Sequence, residues 1–291
     1  MGTLVNAENI RGVYYTEGKD VVAVDDVSIK IEEGEVLGLA GESGSGKTTL
    51  GSIISLIARP PLHVEHGTLE IDGKVQELGG HAKIPRTWRG AVVSMLPQGA
   101  MNSISPTKRV RHLIYDVMRS HDGKISKDEA LDRARERLTT LGLPTRVLDA
   151  YPHQLSGGMK QRTVTIISTL LNPRLLVADE PTSALDVTSQ KILIEMLLEM
   201  LKERIMSGVI FVTHDLPVLR TAANRIAVMY QGRIVELGPT EIVVERPEHA
   251  AGGLPFANEA GAGVRPHLVQ PAVDEWVRDR AMHHGDRKPA H

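Results

Sequence analysis

Residues 41–48 have the sequence Gly41-Glu42-Ser43-Gly44-Ser45-Gly46-Lys47-Thr48, a glycine-rich segment that ends in lysine and threonine. The apolar run Val36–Ala40 precedes it and is typical of a strand buried on both faces. A helical pattern, Thr49–Ala58, follows it, and Pro60 and Pro61 are expected to end that helix. The order predicted is therefore strand, glycine-rich loop, helix.

The loop fits the pattern G-x-x-x-x-G-K-[ST] in the context that gives the pattern meaning. Glycines let successive backbone N–H groups point at phosphate oxygens, and a helix N-terminus adds about half a positive charge. We expect Lys47 to reach the β- and γ-phosphates and the Thr48 hydroxyl to bind Mg2+. The alternative is a plain Gly-Ser turn with an exposed lysine. The predicted MgATP contacts are Gly41, Glu42, Ser43, Gly44, Ser45, Gly46, Lys47, Thr48 and Thr49.

Strand and helix patterns along the chain predict an α/β fold. Apolar residues alternate with polar ones in the N-terminal part, at Val24, Val27, Ile29 and Ile31, which indicates a half-buried antiparallel strand. Two further fully apolar runs, Leu175–Ala178 and Val209–Val212, are separated by a helical segment. Strands that alternate with helices imply a largely parallel sheet.

Changes in pattern divide the chain into three parts. A helical, polar lobe is predicted from Gln98 to Leu155, with residues 1–97 and 156–245 forming the nucleotide-binding core and its β-subdomain. The clearest helix of the lobe opens at Ser126, where Glu129 completes a predicted capping box, and ends at Gly142. The segment 246–291 is rich in Ala, Gly, Pro, His and Arg, and we interpret it as a poorly packed tail.

Asp179 and Glu180 follow directly after one of the buried runs. This places both carboxylates at the carboxyl end of a strand, where open α/β sheets bind their ligands. Asp179 is predicted to bind Mg2+, directly or through water, and Glu180 to polarise the attacking water as a general base. The alternative is a solvated acidic pair at a strand end.

His214 follows a second buried strand. A lone histidine in such a place is most often structural. Here the strand end is expected to point to the same crevice as the acidic pair, where a neutral imidazole can donate to the γ-phosphate and hold the water. We therefore predict a catalytic role for His214.

Leu155-Ser156-Gly157-Gly158 opens another predicted helix, which makes it a second anion site. Ser156 can cap the helix while the amides of Gly157 and Gly158 face outward. One nucleotide in one subunit does not need two such sites. We therefore expect this segment to close over ATP that another subunit holds.

Composition limits the classes of function. The 34 basic and 36 acidic side chains leave a formal net charge of -2, which does not favour nucleic acid as a partner. The absence of cysteine excludes disulfides, thiolate zinc sites and cysteine-ligated iron-sulfur clusters, and it fits a reducing compartment. No signal peptide is expected, and the apolar runs are shorter than the roughly 20 residues of a membrane-spanning helix.

Six motifs in a fixed order resemble those of the nucleotide-binding subunit of an ABC transporter, over residues 4 to 245. The resemblance implies ATP hydrolysis by a P-loop, RecA-like core with an N-terminal antiparallel β-subdomain and an inserted α-helical subdomain. It also implies a partner, identical or different, that sandwiches two ATP molecules head to tail with this chain. The motifs are the loop 41–48, Gln98, Leu155–Gly158, Leu175–Glu180, Ser183–Asp186 and His214.

The same resemblance assigns roles to residues outside the loop. Ser156, Gly157 and Gly158 contact the partner's ATP, and Asp186 belongs to the segment at the dimer seam. Gln98 couples Mg2+ and the attacking water to the helical lobe. Tyr15 occupies the place where such proteins stack an aromatic ring on adenine, with Tyr14 as the alternative because adjacent strand residues point to opposite faces.

Four segments are similar to the oligopeptide and dipeptide importer branch: 41–46, 97–106, 151–154 and 159–162. The branch implies uptake of peptides or a related solute through separate permease subunits, at the cytoplasmic face of the membrane, with an extracytoplasmic solute-binding protein as an indirect partner. The chain departs from the branch at Ala250–Gly253 and in lacking a cysteine cluster. Nickel and sugars remain alternative solutes, and a soluble ABC ATPase acting on nucleic acid or ribosomes is the alternative function.

Overall fold

Two β-sheets and seven α-helices form the part of the chain that the computed structural model describes, namely residues 2–80, 82–100 and 104–245. The predicted tail, 246–291, lies outside the described residues. The strands are β1 (Thr3–Tyr14), β2 (Val21–Glu32), β3 (Val36–Gly41), β4 (Leu62–Ile71), β5 (Lys74–Glu77), β6 (Val93–Leu96), β7 (Leu175–Asp179), β8 (Gly208–Val212), β9 (Arg225–Tyr230) and β10 (Arg233–Pro239). The helices are α1 (Lys47–Ile54), α2 (Val110–His121), α3 (Lys127–Thr140), α4 (Gly157–Ser168), α5 (Val187–Lys202), α6 (Leu216–Ala222) and α7 (Thr240–Glu245).

The central sheet has the strand order β10-β9-β3-β8-β7-β6. All neighbours pair in parallel except β9 and β10, which confirms the largely parallel sheet. Every residue of β3, β7 and β8 is buried, as predicted for strands covered on both faces. Because these three strands are adjacent and parallel, the residues that follow them meet at one edge of the sheet.

Two apolar clusters cover the two faces of the central sheet. Leu175 and Val177 pack into a cluster with α1 and the second sheet, whereas Leu176 and Ala178 pack with the other helices. The second sheet is antiparallel, with the order β2-β1-β4-β5. It confirms the predicted N-terminal β-structure, including the buried row Val24, Val27, Ile29 and Ile31.

Helix α1 ends earlier than the sequence predicts. It stops at Ile54, and the following chain turns at Leu56, whose φ is 60°. Leu56 N donates to Ile53 O and Ile57 N donates to Ser52 O, which is the Schellman arrangement of a helix end. The prolines at 60 and 61 therefore do not end the helix, and a left-handed leucine does.

Helices α2 and α3 lie within the predicted helical lobe. Ser126 caps α3 by accepting from Glu129 N at 3.1 Å. The capping box also predicts a hydrogen bond from the Ser126 backbone N–H to the Glu129 side chain. This part of the prediction is wrong, because the Glu129 carboxylate accepts instead from Arg133 at 2.6 Å. In the part of the chain that the structure describes, no helix is both long and apolar enough to span a membrane.

Candidate active site

The phosphate loop is fixed between two strands of the molecule. Gly41 has φ 144°, and a Cβ there would lie 2.2 Å from Met229 O on β9. Gly46 has φ 105°, and a Cβ there would lie 2.1 Å from Ala23 O on β2. Both positions therefore require glycine, for backbone conformation and for space. The structure builds the loop where the motif predicts it.

Lys47 lies in the centre of this loop. Its Nζ donates to Gly41 O at 2.8 Å and to Glu42 O at 2.7 Å, with Ser45 Oγ at 3.4 Å. Burial lowers the pKa of Lys47, while the nearby carboxylates of Glu180 and Asp179 oppose this shift. The ammonium is thus held against the loop backbone, where it is poorly hydrated and suited to an anion.

The N-terminus of α1 is free of competing side chains. Gly46 is its N-cap and gives no side-chain hydrogen bond, and the first turn carries no acidic residue. The first amides of a helix have no intrahelical acceptor, so an uncapped end favours a bound anion. Together with Lys47, this end fits the phosphates of a nucleotide, and the exposed residues Ser43 and Gly44 leave the loop open to solvent.

Thr48 and Asp179 come together beside the loop. The Thr48 hydroxyl donates to Asp179 Oδ1 at 3.2 Å, and Asp179 is 1% exposed. Burial raises the pKa of Asp179, although the hydrogen bond from Thr48 opposes the rise. Hydroxyl and carboxylate oxygens are ligands that Mg2+ prefers, so this pair fits the metal that the sequence predicts.

Glu180 and His214 also come together, from the ends of β7 and β8. Glu180 has a left-handed backbone, with φ 47°, and its Oε1 lies 2.6 Å from His214 Nδ1. The backbone N–H of His214 donates to the same oxygen at 3.2 Å. Thr213 Oγ1 donates to the other oxygen, Oε2, at 3.3 Å. A carboxylate and an imidazole in contact beside the phosphate loop suit proton transfer from water.

The Ser156 segment forms the N-terminus of α4, as predicted. Ser156 Oγ accepts from Met159 N at 3.3 Å. Ser156 and Gly157 are exposed, whereas a Cβ at Gly158 would lie 2.9 Å from Ser189 Oγ on α5. Among the described residues, no hydrogen bond joins this segment to the loop 41–48. Contact with a partner's nucleotide stays a prediction.

Asp186 uses both carboxylate oxygens within its own chain. Oδ1 accepts from Ser189 N at 2.9 Å and Oδ2 from Ser189 Oγ at 2.8 Å, which caps α5. These hydrogen bonds lower the pKa of Asp186. The residue is exposed, but its carboxylate is occupied by the cap. Its predicted place at the nucleotide and dimer seam therefore stays a prediction.

The two adjacent tyrosines have different surroundings. Tyr15 is 42% exposed, donates to Glu65 Oε1 at 2.8 Å and has its ring centroid 5.1 Å from that of His63. Tyr14 is half-buried, and its hydroxyl lies 3.2 Å from Thr49 Oγ1 on α1. The Tyr15 ring is the more exposed of the two, which suits stacking on a base, and its role at adenine stays a prediction.

Gln98 lies in an exposed turn after β6. In the described ranges, its side chain forms no hydrogen bond with Thr48 or Asp179. The structure therefore does not bring Gln98 into contact with the predicted metal ligands, and its role stays a prediction.

Sequence motifs did not indicate two residues that organise the site. Thr213 holds Glu180, and Ser189 lies between Asp186 and Gly158. Thr213 immediately precedes His214, so its position after β8 was the one available signal. Ser189 had a signal as well, since it stands three residues after an N-cap aspartate.

Known proteins resemble this chain over most of its length. The family described as ABC transporter matches residues 24–183. A putative peptide import ATP-binding protein of Brucella abortus (strain 2308) is 40% identical over 253 residues, covering 84% of this chain and 74% of that protein. The oligopeptide transport ATP-binding protein of Bacillus subtilis (strain 168) is 39% identical over 249 residues, covering 84% and 69%.

A solved structure has the same fold. It is a dimeric ATP-binding cassette in a post-hydrolysis state, bound to ADP and Pi. It is 26% identical to this chain and covers 81% of it and 98% of the solved chain, with a TM-score of 0.68.

Proposed function

The chain belongs to the ABC transporter family, and from that premise we propose that this ATPase energises the import of peptides through separate membrane permease subunits. The observation that carries the proposal is its identity of about 40% to proteins named for peptide and oligopeptide import, over 84% of the chain. The geometry of the loop, the acidic pair and His214 supports the ATPase step.

The nucleotide and metal fit residues of this chain. Lys47 and the N-terminal amides of α1 would hold the phosphates, and Thr48 and Asp179 would hold Mg2+. When bound, Mg2+ supplies positive charge that offsets the charge developing on the phosphates. Glu180 would accept a proton from the attacking water, and His214 would donate to the γ-phosphate and hold that water. Gln98 is proposed to complete the metal site in the closed state.

Hydrolysis then depends on a second subunit. Ser156, Gly157 and Gly158 of one subunit would cover ATP held by the other, with Asp186 at the seam and Tyr15 against adenine. The exposed end of α4 supports this arrangement. Closure would move the helical lobe against a permease at the cytoplasmic face of the membrane, where the chain is peripheral. A solute-binding protein would act on the permease and not on this chain.

Affinity purification from native membranes tests the transport assignment. We expect the tagged chain to recover permease subunits, and vesicles containing them to take up labelled peptide when supplied with MgATP. Vesicles with the Glu180→Gln chain serve as the control and should take up none. Recovery of ribosomes or DNA without a permease would overturn the proposal. Uptake of nickel or a sugar, and not of peptide, would overturn the choice of solute.

A further inference from the structure

Thr213 is buried between β8 and His214, and it is anchored to the central sheet. It is 1% exposed, and its backbone N–H donates to Leu39 O at 3.2 Å. Leu39 lies on β3, the strand that leads into the phosphate loop. The position of Thr213 is therefore fixed relative to the loop.

The hydroxyl of Thr213 has a defined direction. A hydroxyl carries one proton and two lone pairs. Asp215 N donates to Thr213 Oγ1 at 3.1 Å, so a lone pair is used there. The proton is left for Glu180 Oε2, at 3.3 Å. Within the described ranges, this carboxylate is the acceptor that the hydroxyl reaches.

The two oxygens of Glu180 have partners of different exposure. Oε1 faces His214, whose side chain is 66% exposed, whereas Oε2 faces the buried Thr213. An exposed imidazole is free to turn towards a bound nucleotide. If it does so, Thr213 is the remaining side chain that holds the carboxylate, which itself is only 12% exposed.

We propose that Thr213 is a positioning residue for ATP hydrolysis, whose hydroxyl holds Glu180 Oε2 so that Oε1 receives the proton of the attacking water. In that step the water oxygen bonds to the γ-phosphorus, the bond to the bridging oxygen breaks, and ADP leaves. The O–H bond of Thr213 stays intact throughout. The inference rests on the proposed function, because it requires Glu180 to be the base.

Thr213→Val tests this role, since valine keeps the branched shape and removes the hydroxyl. Loss of a hydrogen bond to a charged group corresponds to about a tenfold to hundredfold fall in kcat. We expect that fall with a KM for ATP changed less than about threefold, because the hydroxyl acts on the reacting carboxylate and not on binding. Thr213→Ser should restore most of the rate. Thr213→Ala is the second removal, in case valine prevents folding.

Thr240→Val is the matched control. Thr240 is also buried, at 6% exposed, and its hydroxyl donates to Ala223 O at 2.8 Å, away from Glu180. Steady-state hydrolysis by the Thr240→Val variant should match that of the unaltered protein, once thermal melting shows that the folded fraction is the same. A fall in Thr240→Val equal to that in Thr213→Val would overturn the inference.

A double variant separates positioning from general stabilisation. In the Glu180→Gln background, Thr213→Val should cause no further loss of hydrolysis, because the group that it positions is already gone. An independent tenfold loss there, or a Thr213→Ser variant as slow as Thr213→Val, would overturn the inference. Full activity of Thr213→Val would do the same. Absence of MgATP hydrolysis by the unaltered chain is a distinct result, which would overturn the proposed function as well.

Discussion

Lys47 and Asp179 are buried charges of opposite sign beside one loop. Burial lowers the pKa of the lysine and raises the pKa of the aspartate, so it disfavours the charged form of each. In the proposed site, a phosphate would compensate the charge of the lysine, and a metal ion would compensate that of the aspartate. Both ligands would therefore bind to groups that the fold has desolvated, and their binding would stabilise the folded state.

Asp179→Asn should make the ligand-free protein more stable at neutral pH. Because the pKa of Asp179 is raised on folding, the folded protein binds its proton more tightly than the unfolded chain. Stability is therefore lost as pH rises through the raised pKa, and asparagine avoids that loss. Urea unfolding at pH 7 without Mg2+ should show a higher midpoint for the variant, and the difference should shrink towards about pH 4.

Two observations check this explanation. MgATP should stabilise the unaltered protein much more than Asp179→Asn, since the amide is a poor metal ligand. Asp116→Asn, which removes an exposed carboxylate paired with Lys108, should change stability by less than about 1 kcal/mol. A lower urea midpoint for Asp179→Asn at pH 7 would contradict the desolvation argument.

For strands and helices, the sequence predicts the buried strands better than the helix ends. β3, β7 and β8 agree with their apolar runs to within a residue, because burial on both faces leaves an unbroken signal. α1 ends at Ile54 because the chain then turns at a left-handed leucine, Leu56, and leucine carries no signal for that conformation.

The same contrast holds for the candidate site. The loop, the acidic pair and His214 were predictable because each follows a strand and belongs to a motif. Thr213 was missed since its importance depends on a contact 33 residues away in sequence. Only the pairing of β7 with β8 brings the two residues together, and sequence spacing does not reveal that register.

Ser156→Ala should lower both the stability of α4 and the rate of hydrolysis. Loss of a serine N-cap costs about 1 kcal/mol. Ser126→Ala is the matched control, since Ser126 caps α3 through the same kind of hydrogen bond. We expect similar losses in urea stability for both variants. Hydrolysis should fall only for Ser156→Ala, and ATP binding by the single subunit should stay nearly unchanged. Equal activity of the two variants would contradict a role for Ser156 in the partner's site.

Gly46→Ala should abolish nucleotide binding, because the new Cβ would lie 2.1 Å from Ala23 O. Gly44→Ala is the comparison. Gly44 also has a positive φ, of 80°, but no atom lies within 4 Å of its Cβ position. The Gly44→Ala variant should lose about 1–2 kcal/mol of stability from backbone strain alone and keep most of its ATP affinity, measured with a fluorescent analogue. Equal ATP affinities of the Gly46→Ala and Gly44→Ala variants would contradict this prediction and show that the loop has room to shift.

We propose that each chain carries half of a composite ATP site. The loop, the acidic pair and His214 lie at one edge of the central sheet, whereas Ser156 and Gly157 are exposed at the end of α4. No hydrogen bond joins these two groups in the ranges that the structure describes. ATP hydrolysis should therefore depend on the association of two chains.

The Glu180→Gln variant makes that dependence measurable. Removing the proposed base should lower steady-state hydrolysis by at least about 10²-fold while leaving the phosphate loop intact, so ATP should stay bound. Light scattering after gel filtration should then show a dimer in MgATP and a monomer in its absence. Adding Ser156→Arg, which places a bulky side chain at the exposed end of α4, should keep the protein monomeric while each chain still binds ATP. A dimer that persists with Arg at position 156 would mean that the chains associate through another surface, and the sandwich would be wrong.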